Sequence, residues 1–294
     1  GNLRFYTRAN GGSDTERMRI ESNGFTKHSN TGVYDTYSGA DDSHQFISNN
    51  TGHATLWVNN TNASYDAVML RTESVRTASS AFHFFACTSG NLTDDEFRLR
   101  GDGNAFADGT WSGGGADYAE YFEWNDGNTN NEDRVGYSVS LVNNKIKIAE
   151  SGETVIGVIS GNPSVVGDDS WNSWKNKYLK DDFGRYVWEN YTLTTWTTEG
   201  LIEKSYHSDR IPADEVVPED AVITTQDSAG NAYKRKQLNP DYDDSLEYQD
   251  RESRAEWDIV GLMGKLRIRA GQEVGASWIK MQDISATVEE WLIK

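Results

Sequence analysis

The sequence predicts a mainly β protein with a few short helices, an α+β class. It reads as an N-terminal trimeric β-stem segment over 1–112, followed by a β-rich globular domain over 113–294. Three observations carry that reading. Short alternating apolar and polar runs recur between Gly, Asn, Ser, Thr and Asp turns, the pattern of half-buried strands. Mean hydropathy is only −0.72, yet the chain holds 10 Trp, 14 Tyr and 10 Phe. That pairing fits a thin aromatic core under much polar surface rather than disorder. Two stretches, 170–179 and 277–294, place apolar residues at helical spacing.

In the first segment the strand candidates are LRFYT (3–7), RMRIE (17–21), LWVN (56–59), VMLRT (68–72), FHFFA (82–86) and FRLRG (97–101). Each is too thinly apolar to bury a core alone. Three chains wound together would supply the missing surface and cover the strand edges; a monomeric β-sandwich is the alternative. His28, His44, His53 and His83 are scattered, with no pair at metal-ligand spacing. Asp41-Asp42 and Asp94-Asp95 could hold calcium at a trimer axis, or be solvated turns, and no calcium-loop pattern surrounds them. Residues 101–115, rich in glycine, form the boundary.

In the second segment, RVGYSVSL (134–141), KIKIA (145–149) and TVIGVISG (154–161) read as three strands, with tight turns at Asn143-Asn144 and Ser151-Gly152. YVWENYTLTTWTT (186–198) and AYKRKQL (232–238) are also strand-like. Trp171, Trp174 and Tyr178 at i, i+3, i+7 suggest an amphipathic helix. At the C-terminus Ile284, Val288, Trp291 and Leu292 form one helical stripe, with Asp283 or Ser285 as cap.

The formal charge is −18 over 294 residues. Such a chain repels nucleic acid and has no phosphate-binding character. The single cysteine, Cys87, excludes an intrachain disulfide and reads as a buried small hydrophobe. There is no signal peptide and no apolar run long enough to span a bilayer, so no membrane insertion is expected. Gly1 in place of an initiator methionine is expected of a segment of a longer polypeptide.

The most informative stretch is GGADYAEYFEW (114–124), with carboxylates at Asp117, Glu120 and Glu123 among aromatics. Asp117 and Glu120 are three apart, so a helical turn would put both on one face. Two carboxylates held together beside aromatics can split into an acid and a base. A solvated acidic turn is the plainer alternative.

That stretch, with NNEDRVGYSVSL (130–141), IGVISGNPSVVGD (156–168), KYLKDDFGR (177–185), NPDYDDSLEY (239–248) and EWDIVGLMGKLRIR (256–269), resembles the C-terminal autoproteolytic intramolecular chaperone domain of phage tailspikes and neck appendages. The segments occur in the family's order over 113–269. The resemblance implies a virion protein, part of a tail fibre or tailspike. Its C-terminal domain would trimerise the chains, align the stem and then cut itself off. It implies Asp117 and Glu120 as catalytic groups and Ala116–Asp117 as the cleaved bond, with no metal and no cofactor. The implied partners are two further copies of the chain and other virion tail proteins; the tryptophan-rich run from Trp188 to Trp196 suggests a host surface glycan as a third class. An uncleaved structural or receptor-binding fibre tip is the alternative function. Some members carry serine before the aspartate, where this chain has Ala116. A mechanism through that serine would leave this chain inert, whereas a carboxylate mechanism tolerates alanine. Arg251 or Arg254 could orient Asp117 or Glu120, or form surface ion pairs.

Overall fold

A computed structural model describes residues 1–22, 24–34, 44–74, 76, 78–90, 93–171, 176–198, 203–243 and 245–294. Two compact units emerge, Gly1–Glu73 and Ser74–Lys294. Among the described residues the regular elements are all strands, and the helix expected at the C-terminus is absent.

The first unit is one four-stranded sheet: β1 (Leu3–Arg8), β2 (Asp14–Ile20), β3 (Thr26–Ser29) and β4 (His44–Ile47), in that order. β1 to β3 meander antiparallel, whereas β4 joins β3 in parallel. The sheet is held by polar chemistry as much as by apolar contact. Glu16 is buried beneath Arg4 and Arg19, and His28 stacks on Phe46 at 4.8 Å. Leu56, Trp57, Val68 and Leu70 are exposed and outside any strand, so the expected LWVN and VMLRT strands do not form. Alternation gives a strand only where a neighbouring strand exists to pair with it. Asp41-Asp42 lie outside the described residues.

The second unit begins with a three-stranded antiparallel sheet of β5 (His83–Ser89), β6 (Asp94–Arg100) and β7 (Ala105–Ala107). Cys87 in β5 is half-buried rather than buried. Next come β8 (Asp117–Glu123), β9 (Ser138–Val142), β10 (Lys145–Ile148), β11 (Val155–Ile159) and β12 (Val165–Gly167). The sheets β13 (Trp188–Asn190) with β17 (Lys234–Lys236), and β14 (Leu193–Thr197) with β15 (Glu203–His207) and β16 (Val222–Thr224), follow. The chain closes with β18 (Trp257–Arg269), β19 (Ile279–Ser285) and β20 (Val288–Ile293).

The thirteen-residue β18 organises the largest sheet. It pairs antiparallel with β8, β11 and β20, while β9–β10 extend beyond β11 and β19 beyond β20. Asn143 and Asn144 both adopt positive φ, 49° and 69°, at the β9–β10 hairpin. Asparagine tolerates this conformation, and its twist suits the hairpin.

Successive residues of β11, and the two ends of β18 on either side of its bulge, feed two cores. Ile159 and Val260 join Trp124, Val139 and Ile146 in one. Val158, Leu266 and Ile268 join Ile293 in the other. Successive strand residues point to opposite faces, so the sheet is covered on both sides. Trp124 also donates its indole N–H to Asp258 Oδ2 at 2.8 Å. Trp124→Phe is expected to cost about 1–3 kcal/mol, because the carboxylate loses its donor inside the fold. A urea titration of both proteins measures this.

The C-terminal segment corrects a helix expectation. Its stripe is split by a turn at Ala286-Thr287, where the Thr287 N–H donates to Ser285 Oγ. β19 and β20 then pair as a hairpin against β18. Asp283 and Ser285 are strand residues, not caps. The β18 edge and the second core favour β20 as a strand, burying Ile293. Trp174 of the other helix expectation lies outside the described residues, and Tyr178 makes a β-bridge to Leu238.

Candidate active site

Asp117 opens β8, and its backbone faces Gly264 of β18. Immediately before it, the Ala116 carbonyl accepts the Lys265 N–H at 3.2 Å. On its other side, the Asp117 carbonyl accepts the Ser164 N–H at 2.8 Å. The Ala116–Asp117 peptide is therefore pinned at both flanking carbonyls.

Glycines make that approach possible. An ideal Cβ at Gly264, where φ is +118°, would lie 2.5 Å from the Ala116 oxygen and 2.8 Å from Asp117 Cα. An ideal Cβ at Gly115 would lie 2.2 Å from the Pro163 carbonyl carbon. Glycine within a strand pattern signals such close backbone approach, and β18 carries a bulge between Gly261 and Met263.

The Asp117 side chain is 5% exposed. Its Oδ1 accepts the Ser160 hydroxyl at 3.1 Å, and Oδ2 is buried with no hydrogen-bond partner. Burial pushes its pKa up, opposed by the Ser160 donor and by its own backbone N–H. A carboxyl so placed holds its proton to higher pH than a solvated aspartate. A cavity of about 420 Å³ adjoins this bond, lined among others by Ala116, Asp117, Ser160, Asn162, Lys265 and Glu290. It has room for water at the Ala116 carbonyl.

Glu120 does not share this chamber. In a strand, residues three apart point to opposite faces. Asp117 lies with Ser160, and its Oδ2 stands 2.7 Å from where a Gly261 Cβ would be. Glu120 instead accepts the Tyr118 hydroxyl and packs beside Gly167 of β12. The helical juxtaposition expected of the pair is thus replaced by a strand that separates them within one chain. Neither arginine orients Asp117: Arg251 pairs with Asp168 at 2.8 Å and stacks on Trp257, and Arg254 pairs with Glu256. Asp117 is left with Ser160 as its side-chain partner.

A carboxyl whose pKa is raised by burial thus lies beside a carbonyl held by a backbone N–H and a cavity open to water. Residues 67–292 match the family model of the Peptidase_G2, IMC autoproteolytic cleavage domain, and the chain belongs to that family. It is 34% identical over 180 residues to the pre-neck appendage protein of Bacillus phage B103, covering 60% of this chain and 16% of that protein. It is 33% identical over 165 residues to the pre-neck appendage protein of Bacillus phage phi29, covering 56% of this chain and 14% of that one. The chain thus spans about a sixth of the length of these curated relatives. The crystal structure of the pre-mature bacteriophage phi29 gene product 12 aligns at TM-score 0.49 and 26% identity, over 68% of this chain and 24% of that one.

Proposed function

We propose that this chain is the C-terminal part of a phage tail-fibre, tailspike or neck-appendage protein, which assembles as a homotrimer and cuts itself once between Ala116 and Asp117. The observation that carries the cleavage is the buried Asp117 carboxyl beside a carbonyl already held by the Lys265 N–H. Water adds to the Ala116 carbonyl carbon, and the Lys265 N–H stabilises the developing oxyanion. Protonated Asp117 gives its proton to its own amide nitrogen as the C–N bond breaks. The base that accepts the attacking water's proton releases it to solvent, and Asp117 is reprotonated, so a carboxylic acid is restored. Net, one peptide bond and one water become a carboxyl at Ala116 and an amine at Asp117.

Glu120 is the second catalytic carboxylate in this reading. Because it faces away from its own chain's bond, it serves a neighbouring copy as the base for water. The exposed Trp57, Leu70, Phe183 and Ile223 support a self-associated state. In that state residues 113–294 act as the chaperone domain, bringing three stem segments of 1–112 into register. Alignment of strands between separate chains is slow and error-prone unless their ends are held at high effective concentration. Cleavage then removes the return path.

Intact mass of the purified protein tests cleavage through a fragment beginning at Asp117; persistent full-length chain in assembled particles rejects it. Glu120→Gln and Asp117→Asn chains, each uncut alone, are expected to yield fragments from the Glu120→Gln chains when co-assembled. Cleavage of Glu120→Gln alone at the wild-type rate removes Glu120 from the mechanism.

A host-glycan partner is a second reading, favoured by Trp188. That ring is 49% exposed and lines a cavity of about 360 Å³ with Tyr191, Tyr233 and Asn231. Trp196, at 6% exposure, is a packing residue instead. Loss of saccharide binding in Trp188→Ala, retained in Tyr206→Phe, is the expected result.

A further inference from the structure

The buried oxygen of Asp117 that has no partner requires an explanation, because such groups are rare in folded proteins. Its environment supplies one. Ser160, at the end of β11, is 4% exposed. Its Oγ accepts the Asn162 N–H at 3.3 Å, so its single hydroxyl hydrogen is directed at Asp117 Oδ1, 3.1 Å away. When the carboxyl is protonated, the oxygen that accepts this bond is its carbonyl-type oxygen, and the acid's hydrogen sits on the other oxygen. Gly261 leaves space for that second oxygen, which a Cβ would approach to 2.7 Å.

We propose that Ser160 is a positioning residue for self-cleavage: its hydroxyl holds Oδ1 and so places the transferable proton of Asp117 on Oδ2. The inference rests on the cleavage reading above. A planar amide nitrogen accepts no hydrogen bond, so Oδ2–H has no acceptor in the resting chain. When water adds to the Ala116 carbonyl, the Asp117 nitrogen becomes pyramidal and gains a lone pair. The proton then moves from Oδ2 to that nitrogen, the C–N bond breaks, the proton lost by the attacking water passes through its base to solvent, and the carboxylate is reprotonated. An interaction available only in the transition state lowers the barrier without tightening the ground state. The orphaned oxygen is thus poised for a partner that exists only during reaction. Ser160 also restores a hydroxyl to a site in which Ala116 stands before the aspartate, though as an orienting donor and not as the attacking group.

The charged groups lining the same cavity are Lys265 and Arg267 of β18 and Glu290 of β20; β11 and the 161–164 loop bring none. They are shared by all variants below, so they do not alter the comparison. The test is the rate of full-chain cleavage against pH in wild type, Ser160→Ala and Ser160→Thr. Ser160→Ala is expected to cut about 10–100-fold more slowly at acidic pH, as loss of an orienting hydrogen bond does. Its deficit should shrink as pH rises. The hydroxyl favours the ionised form, so without it the active acid persists to higher pH and the alkaline limb moves up. Ser160→Thr should restore both rate and limb. A deficit of equal size at every pH, or threonine no better than alanine, overturns the proposal. A carbon-13 titration of the Asp117 carboxyl in wild type and Ser160→Ala decides it separately from cleavage. A midpoint that rises in Ser160→Ala supports the contact even in a chain that never cuts, and an unchanged midpoint refutes it.

Discussion

Asp117→Asn is expected to abolish self-cleavage while leaving the chain folded. An amide cannot deliver the proton that the leaving nitrogen needs. Loss of a positioned general acid lowers a rate by about 10²–10⁴-fold. Intact mass followed over time reads this directly, and wild-type cleavage in Asp117→Asn would refute the role. The same substitution predicts a change in stability with a definite sign. Burial raises the folded-state pKa of Asp117 above its unfolded value. The folded chain therefore binds this proton more tightly than the unfolded one. The stability tied to it is full below the unfolded pKa, near ~3.9, and is lost as pH rises through the folded pKa. Asparagine, neutral throughout, escapes that loss. Asp117→Asn should match wild type in thermal unfolding at low pH and exceed it increasingly toward neutrality. A gain that shrinks as pH rises would mean that Asp117 is stabilised as the anion.

Much of the large sheet was legible because its signals are local. The β9–β10 hairpin follows from alternation on either side of Asn143-Asn144, and both asparagines adopt the backbone such a turn needs. β18 was only partly legible, its alternation being confined to 265–269 and not assigned as a strand. The C-terminal hairpin was not, because residues 277–294 satisfy a helical stripe and an alternating pattern together. The choice is made by the β18 edge, a partner distant in sequence. The site divides the same way. The segment resemblance pointed to Ala116 and Asp117 as the candidate bond, but spacing alone could not say whether Asp117 and Glu120 share a face. A helix brings residues three apart together and a strand separates them. Ser160, Gly261, Gly264 and Lys265 were missed as site residues. The available signal was two glycines three apart inside a strand-like run, which marks a bulge and a close backbone approach.

Those glycines yield the second large effect. Gly264→Ala is expected to cost roughly 2–4 kcal/mol, from backbone strain together with overpacking, and to stop cleavage as well. The added methyl would meet the Ala116 oxygen at 2.5 Å and Asp117 Cα at 2.8 Å, neither of which is a flexible side-chain end. The alanine also disfavours φ of +118°. Relief requires β8 to move away from β18, which lengthens the Lys265 N–H contact to the Ala116 carbonyl. Gly271→Ala separates these causes. It too has positive φ, +80°, but a Cβ there meets nothing within 4 Å. It should lose only about 1 kcal/mol of stability, the ordinary cost of a left-handed residue, and should cleave at the wild-type rate. Urea titration and intact mass on both variants make the comparison. If Gly264→Ala were destabilised yet cut normally, the carbonyl held by Lys265 would not be where the reaction's charge develops, and the bond broken would lie elsewhere in the chain.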